Sequence, residues 1–223
     1  MFCYAAAVIE TPSPNFDTRN APVSLVILHY TGMPTAQAAI ARLCDAASKV
    51  SAHYTVLEDG RIHRHVAEAD RAWHAGISYW RGQRDINAIS IGIEIVNPGH
   101  EFGYRTFPSA QMQAVRDLCQ DIIRRHAIPA KNILGHSDVA VARKIDPGEL
   151  FDWRYLAEYG IGVMPPAHAS ATPDMALAQK LLAEFGYDTA DLAQTITAFQ
   201  RHFCASELNH GLTPVTMGAL MRL

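Results

Sequence analysis

The chain has 223 residues, of which 49% are hydrophobic, and its formal net charge is −3. This length suits one domain with a sizeable apolar core plus a small appendage. The weak negative charge, without any run of Lys or Arg, excludes the basic surface expected of a nucleic-acid-binding protein. No membrane segment is expected either, because the longest apolar runs, such as 23–28, fall far short of the roughly 20 residues that span a bilayer.

The N-terminus and the cysteines bear on the cellular compartment. Residues 1–14, MFCYAAAVIETPSP, lack a basic start and hold too short an apolar stretch for a secretory signal. This predicts a cytoplasmic protein, or a periplasmic or envelope protein if the native start lies upstream. Cys3, Cys44, Cys119 and Cys204 form no CxxC pair, which favours reduced core thiols over disulfides or a thiolate metal site.

The first half of the chain predicts strands alternating with a helix. Residues 23–28, VSLVIL, form a continuous apolar run that stops at His29, as in a central strand covered on both faces. Residues 35–47 follow with apolar side chains at helical spacing. Residues 53–57 and 61–66 then flank Glu-Asp-Gly, whose Asp-Gly pair predicts a hairpin turn.

The middle of the chain continues this alternation. SIGIEIV at 90–96 predicts a strand, and residues 108–126 predict a long amphipathic helix. NIL at 132–134 predicts a short strand. The order of these elements indicates an α/β fold with a central mixed β-sheet flanked by helices.

The composition changes at residues 164–174, MPPAHASATPD, which are rich in Pro, Ala, Ser and Thr and have no apolar periodicity. Three segments of helical spacing follow, each too short to be stable alone. We therefore expect a larger α/β domain at 1–163, a linker at 164–174 and a small C-terminal three-helix domain at 175–223.

Polar residues interrupt the apolar strands at His29, Glu94 and His136, and strand ends are where sites gather in such sheets. Isoleucines occupy alternate positions of the strand 90–96, so Glu94 faces the other side, beside Gly92, which leaves space. A carboxylate in a central strand is costly unless it is paired, hydrogen-bonded or near a metal. The alternative is a strand face that exposes Glu94 to water.

GHSDVAVARKIDPG at 135–148 gathers His136, Lys144 and Asp146 in one polar segment. One interpretation is purely structural, a helix cap followed by an Asp-Pro-Gly turn. Another is a zinc centre, because catalytic zinc takes three His, Asp or Glu ligands and keeps a fourth position for water. His29, His136 and Asp146 would supply them, and an extended backbone would place Lys144 on the same side as Asp146.

A zinc centre would also give Glu94 and Lys144 roles. The charge of the ion lowers the pKa of bound water toward ~7. Glu94 would accept the water proton and pass it to the leaving nitrogen, and Lys144 would stabilise the oxyanion. No HExxH motif occurs, and long-range ligands have no regular interval, so spacing leaves both interpretations open.

Five ordered blocks carry a resemblance that covers roughly residues 10–160. They are LHYTG (28–32), SAHYTVLEDGRI (51–62), AWHAG (72–76), IGIEIVNPG (91–99) and GHSDVAVARKIDPG (135–148), the last followed by FDW at 151–153. Together they resemble the zinc-dependent N-acetylmuramoyl-L-alanine amidases, whose fold is shared with peptidoglycan recognition proteins.

The resemblance implies zinc ligands at His29, His136 and Asp146 and a catalytic pair at Glu94 and Lys144. The implied reaction is hydrolysis of the amide bond between N-acetylmuramic acid, or its 1,6-anhydro form, and the L-alanine of stem peptides, in cell-wall turnover or recycling. The implied partners are peptidoglycan or muropeptide fragments. A non-catalytic muramyl-peptide recognition protein and a metallopeptidase that cuts within the peptide are the alternatives.

The resemblance also suggests residues that contact the substrate in the cleft. Some family members carry a catalytic tyrosine at the position of Ala52, so that role does not transfer. For His53 the alternative to substrate contact is a structural role as a half-buried histidine, and for Trp73 it is packing in the core. The candidates are Tyr30, His53, Trp73, His74, Arg84 and Asn87.

Two further patterns carry less specific expectations. The C-terminal segment resembles a three-helix peptidoglycan-binding module whose Gly-rich segment is shortened to residues 187–190, so it either binds the wall or packs on the catalytic domain. His63 and His65 lie on one face of a strand, where a solvated surface is expected rather than a second metal pair.

Overall fold

A six-stranded mixed sheet forms the centre of the fold in the computed structural model, which describes residues 8–223. Expectations for residues 1–7, including the one for Cys3, lie outside the described residues. In the sheet the strand order is β1-β5-β4-β7-β3-β8, and β2 pairs with β6 in a small second sheet. The strands are β1 (Val8–Glu10), β2 (Phe16–Thr18), β3 (Leu25–Tyr30), β4 (Tyr54–Val56), β5 (Ile62–Arg64), β6 (Asp70–Ala72), β7 (Ser90–Ile95) and β8 (Ile133–Gly135).

Strand β3 lies between β7 and β8 and is parallel to both, which explains its continuous apolar sequence. Strand β4 is parallel to β7 and antiparallel to β5, so the predicted mixed sheet and the predicted hairpin are confirmed. Strand β3 begins two residues after the start of the apolar run 23–28 and continues two residues beyond its end. His29 pairs in register with Glu94, and Tyr30 pairs with Ile95, so β3 extends through both.

Helices lie on both sides of the central sheet. The predicted long helix has its expected bounds, whereas α1 is shorter than the predicted 35–47 because Asp45 ends it and caps a following 3-10 turn at 46–48. Within residues 8–223, none of the helices combines the length and the hydropathy that a transmembrane span requires. The helices are α1 (Ala36–Cys44), α2 (Ile86–Ile89), α3 (Gly99–Phe102), α4 (Ser109–His126), α5 (His136–Val139), α6 (Trp153–Glu158), α7 (Met175–Phe185), α8 (Leu192–Phe203) and α9 (Pro214–Leu220).

Helix α4 covers one face of the sheet. Its apolar side chains pack against alternate residues of β3 and β7, and Cys119 is a buried free thiol in this layer. Cys44 and Cys204 are also free, as predicted. The buried residues of α4 in this layer are Met112, Ala114, Val115, Leu118, Cys119 and Ile122, and their partners include Val26, Leu28, Ile91, Ile93 and Ile95.

The three C-terminal helices cover the other face, and the helices predicted there are confirmed. One apolar cluster, which we call the shared core, takes side chains from both parts of the chain. The division into domains at 1–163 and 175–223 stays a prediction. Residues of the shared core include Leu25, Ile27, Trp80, Leu134 and Val139 from the sheet side and Ala178, Leu182, Ile196, Phe199 and Met217 from the C-terminal helices.

A buried polar contact reinforces this packing. Asp138 of α5 accepts hydrogen bonds from the Tyr187 hydroxyl at 2.5 Å, from His202 Nδ1 at 2.7 Å and from the backbone N–H of Gly135 at 2.7 Å. The His202 ring stacks on Trp153 with centroids 3.8 Å apart. The C-terminal helices therefore contact the short helix that begins at His136.

The solvated strand face expected at His63 and His65 is wrong for His65. His65 is buried, and both of its ring nitrogens have hydrogen-bond partners. Its Nε2 lies 2.8 Å from Thr55 Oγ1, and its Nδ1 lies 2.8 Å from the carbonyl of Thr11. Among the described residues, the one group of three or more His, Cys, Asp or Glu side chains that could hold a metal ion is His29, His136 and Asp146.

Candidate active site

A cleft of about 400 Å³ opens at the carboxyl ends of β3, β7 and β8. Because these strands are parallel neighbours, the residues at their ends meet at one edge of the sheet. The cleft is lined by the three candidate metal ligands and the two candidate catalytic residues, which are His29, Glu94, His136, Lys144 and Asp146.

Three ligand atoms converge on one point in this cleft. His29 Nδ1 lies 2.9 Å from His136 Nδ1 and 3.1 Å from Asp146 Oδ2, and His136 Nδ1 lies 3.0 Å from the same oxygen. All three residues are buried. Zinc bonds to nitrogen and oxygen are about 2.0–2.2 Å long, so a single ion can reach all three atoms.

The electrostatics of the three residues suit a metal. Burial lowers the pKa of His29 to about 4, which keeps its imidazole neutral. Burial alone would raise the pKa of Asp146, but the adjacent His136 and His29 outweigh it and hold that pKa well below its usual range. At neutral pH the ionised carboxylate and a neutral imidazole form part of the donor set that catalytic zinc takes.

Glu94 faces the cleft from the strand next to His29. Burial raises its pKa well above the usual value, the charge of Asp146 raises it further, and Lys144 partly opposes the shift. Its Oε2 atom is buried and has no hydrogen-bond partner among the described residues. An oxygen in this state is costly unless it receives a proton or a hydrogen bond, which suits a group that takes a proton from bound water.

Lys144 enters the cleft from the segment after α5. Its backbone N–H donates to the carbonyl of Ala140 at 2.9 Å, which fixes the chain two residues before Asp146. Both side chains line the cleft, as an extended Lys-Ile-Asp sequence predicts. The ammonium is therefore in a position to face negative charge that develops on a substrate in this cleft.

Three of the six candidate substrate-binding residues line the cleft, namely Tyr30, Trp73 and His74. The Tyr30 hydroxyl lies 3.1 Å from His100 Nδ1, and burial raises its pKa to about 12, so it stays protonated. Trp73 Nε1 donates to Asp17 at 2.7 Å, which holds the indole at the edge of the cleft.

The structure does not bring the other three candidates to the cleft. His53 is fully buried, and its Nδ1 accepts from the backbone N–H of Gly92 at 3.0 Å. Arg84 is exposed and stacks over Tyr79 at 5.3 Å. Asn87 is buried, and its Oδ1 accepts hydrogen bonds from the backbone N–H groups of His74 and Ala75.

Sequence reasoning missed several residues that line the cleft, among them Arg42, His100 and Arg143. Arg143 directly precedes Lys144 in the block 135–148, so the sequence indicated that it lies near the cleft. Arg42 lies on the polar face of α1, where its sequence context is that of any solvated helix residue.

The chain matches the protein-family model described as N-acetylmuramoyl-L-alanine amidase over residues 19–149. It is 36% identical to the protein named N-acetylmuramoyl-L-alanine amidase AmiD of Escherichia coli (strain K12), over 88% of this chain and 82% of that protein. It is 34% identical to the 1,6-anhydro-N-acetylmuramyl-L-alanine amidase AmpD of Haemophilus influenzae, over 66% of this chain and 90% of that protein.

Solved structures agree with these matches. E. coli AmiD in complex with the substrate anhydro-N-acetylmuramic acid-L-Ala-D-gamma-Glu-L-Lys superposes with a TM-score of 0.83 at 35% identity, covering 92% of this chain and 90% of that one. AMPDH3 of Pseudomonas aeruginosa in complex with anhydromuramic pentapeptide superposes with a TM-score of 0.81 at 30% identity, covering 100% and 97%. The chain therefore belongs to the N-acetylmuramoyl-L-alanine amidase family and is an enzyme of that family.

Proposed function

We propose that this enzyme hydrolyses the amide bond between N-acetylmuramic acid, or its 1,6-anhydro form, and the L-alanine of peptidoglycan stem peptides, with one zinc ion at His29, His136 and Asp146. The observation that carries the proposal is the convergence of three ligand atoms within 3.1 Å of one another beside the unpartnered Glu94 oxygen. Relatives named as amidases of this bond support the choice of substrate.

The roles of the side chains follow from their positions. When bound, zinc supplies positive charge that polarises the amide carbonyl and acidifies water. Glu94 takes a proton from the attacking water at its free oxygen, while the water oxygen forms a bond to the carbonyl carbon. Glu94 holds that proton until the carbon–nitrogen bond breaks.

Glu94 then delivers the proton to the departing nitrogen of L-alanine. The second proton of the water also ends on this nitrogen, so the products are the lactyl carboxylate of the sugar and a peptide whose free amino terminus is an ammonium group. Lys144 lines the same cleft and stabilises the oxygen that becomes negative as the carbonyl carbon turns tetrahedral. Because this charge is absent from the ground state, the contribution of Lys144 falls mainly on the transition state.

The test is a digest of anhydro-N-acetylmuramic acid-L-Ala-D-gamma-Glu-L-Lys by zinc-loaded enzyme, read by mass spectrometry. The expected products are free anhydro-N-acetylmuramic acid and the intact tripeptide. Cleavage between amino acids would identify a peptidase, and binding without cleavage would identify a recognition protein. A parallel digest of purified sacculi compares the soluble fragment with the intact wall as substrate.

A further inference from the structure

We propose that His74 and Ala75, which we call the backing segment, fix the tautomers of both candidate zinc histidines, and that Ser90 sets the direction of the hydrogen bonds that reach His29. The inference rests on the zinc site of the proposed function and concerns metal affinity. In each of the two histidines, the ring nitrogen Nε2 lies within hydrogen-bond distance of this segment. His29 Nε2 lies 3.0 Å from His74 Nδ1, and His136 Nε2 lies 3.0 Å from the carbonyl of Ala75.

A first chain of hydrogen bonds runs from Ser90 through His74 to His29, and Ser90 determines which atoms in it donate. Its hydroxyl donates to the carbonyl of Ile86 at 2.7 Å, which uses its only proton. The Ser90 oxygen lies 3.1 Å from His74 Nε2 and can only accept there. His74 therefore carries its proton on Nε2, and in the neutral ring Nδ1 offers a lone pair.

The tautomer of His74 in turn determines the tautomer of His29. Because His74 Nδ1 accepts, His29 must donate from Nε2, so its own Nδ1 has no proton. That Nδ1 atom is the one that faces His136 and Asp146. A buried serine hydroxyl, two rings away, thus presets the lone pair that a zinc ion would take.

The second chain has one step. A carbonyl oxygen can only accept, so the contact with Ala75 places the proton of neutral His136 on Nε2 and leaves Nδ1 free. Arg143 Nη2 donates to the same carbonyl at 2.7 Å, which helps to hold it in place. One dipeptide therefore orients both imidazoles, by its side chain for His29 and by its backbone for His136.

Two neighbours hold the backing segment. Asn87 Oδ1 accepts from the backbone N–H of His74 at 3.1 Å and from that of Ala75 at 2.8 Å. Gly92 makes room for the imidazole, because a Cβ at that position would lie 2.4–2.6 Å from the His74 ring. The space that Gly92 leaves beside Glu94 is thus filled by His74, and Asn87 acts on the site from behind rather than from within the cleft.

The test measures zinc affinity of the full-length, metal-free protein by competition with a chromogenic chelator. His74→Leu removes the acceptor for His29, so we expect affinity to fall by about 10- to 100-fold, the range for loss of such a partner. His74→Asn keeps an acceptor near the position of Nδ1 and should recover most of that loss. Ser90→Ala leaves the His74 ring in place but frees its tautomer, and should weaken zinc binding in the same direction.

His65→Asn is the matched control, because His65 is another buried, hydrogen-bonded histidine outside the cleft. It should bind zinc as the wild type does. Nitrogen-15 NMR of the zinc-loaded wild type gives a second readout, in which His29 and His136 should each carry a proton on Nε2 and bind metal through Nδ1.

Zinc affinity within threefold of wild type in folded His74→Leu would overturn the inference, as would NMR signals showing metal on Nε2 of His29. If His74→Leu fails to fold, Ser90→Ala decides, and unchanged affinity in that variant overturns the inference. Wild-type zinc binding without cleavage of muramyl peptides would contradict the proposed function alone, because the backing segment acts on metal affinity.

Discussion

His202 in α8 donates a hydrogen bond from Nδ1 to Asp138, two residues beyond the candidate zinc ligand His136, at 2.7 Å. Both residues are almost fully buried, with 5% and 1% of their surfaces exposed. A carboxylate buried to this degree is costly without its partners. The C-terminal helices therefore support the segment that carries the candidate ligand His136.

A chain that ends at Met164 tests this relationship. Its truncation would expose the sheet side of the shared core and remove two of the partners of Asp138. We expect the truncated protein to aggregate or to melt at a lower temperature than the full chain, as measured by circular dichroism. Equal melting temperatures and equal zinc affinity would show instead that the two parts are independent.

Wall binding by the C-terminal helices needs a separate measurement. The resemblance to a peptidoglycan-binding module predicts that full-length protein sediments with purified sacculi, whereas packing alone predicts no such affinity. Sedimentation of the full-length protein with sacculi would support wall binding, and its absence would leave packing against the sheet, through the shared core, as the role of these helices.

Removing a candidate ligand should remove the metal. In His29→Ala, His136→Ala and Asp146→Ala, one of three protein ligands is lost, so zinc content and activity should fall together. Metal analysis of the purified variants measures the zinc content, and the muramyl-peptide digest measures the activity. Asp117→Ala, on the exposed face of α4, is the control. Full zinc content in all three ligand variants would refute the assignment.

Glu94→Gln should keep zinc and the fold while kcat falls by ~10²- to 10⁴-fold, the range for a lost general base. The amide has nearly the same shape as the carboxyl group but does not take up the proton. Glu101→Gln is a suitable control, since Glu101 also lines the cleft. Near wild-type turnover in Glu94→Gln would remove this residue from the mechanism.

Lys144→Met should also keep zinc, because an ammonium group is not a zinc ligand. We expect kcat to fall by ~10²-fold or more, since the lost charge would act on the developing oxyanion. Lys131→Met, at an exposed position outside the cleft, should have no effect. A change in KM with unchanged kcat would instead assign Lys144 to substrate binding.

Glu68 provides a pH test of stability away from the cleft. Burial raises its pKa, but hydrogen bonds from Arg125, His126 and Tyr54 outweigh burial, so the net pKa is lowered. Because the folded pKa lies below the unfolded one, the stabilisation is present above the usual carboxyl pKa and is lost as pH falls through the folded value.

Glu68→Gln should therefore lower the free energy of unfolding by about 1–3 kcal/mol at pH 7, and by less at pH 3. Urea titrations at the two pH values measure the difference. Glu58→Gln is the control, because Glu58 forms only an exposed pair with Arg105, worth about 1 kcal/mol at most. An equal cost of Glu68→Gln at both pH values would contradict the prediction.

The sequence was most informative where local pattern and sheet geometry coincide. His29 and Glu94 interrupt apolar strands, and parallel pairing places them side by side, so their meeting could be predicted. The fate of His53 could not, because it depends on a hydrogen bond from Gly92, a residue 39 positions away. The same holds for Asp138, whose partners Tyr187 and His202 belong to a segment that composition alone separates from it.

The segment at 164–174 was predicted to be a linker, and part of it contacts the last helix, α9. The Ala171 N–H bonds to the carbonyl of Pro214 at 2.9 Å, and Gly218 packs so closely that a Cβ there would lie 2.3 Å from the backbone nitrogen of Ser170. Within this segment, residues 166–168 and 172–174 are the two runs of three consecutive exposed positions. A protease that cuts there would produce two fragments that remain associated through the shared core, so the nicked enzyme would migrate as one particle under native conditions and separate only in denaturant.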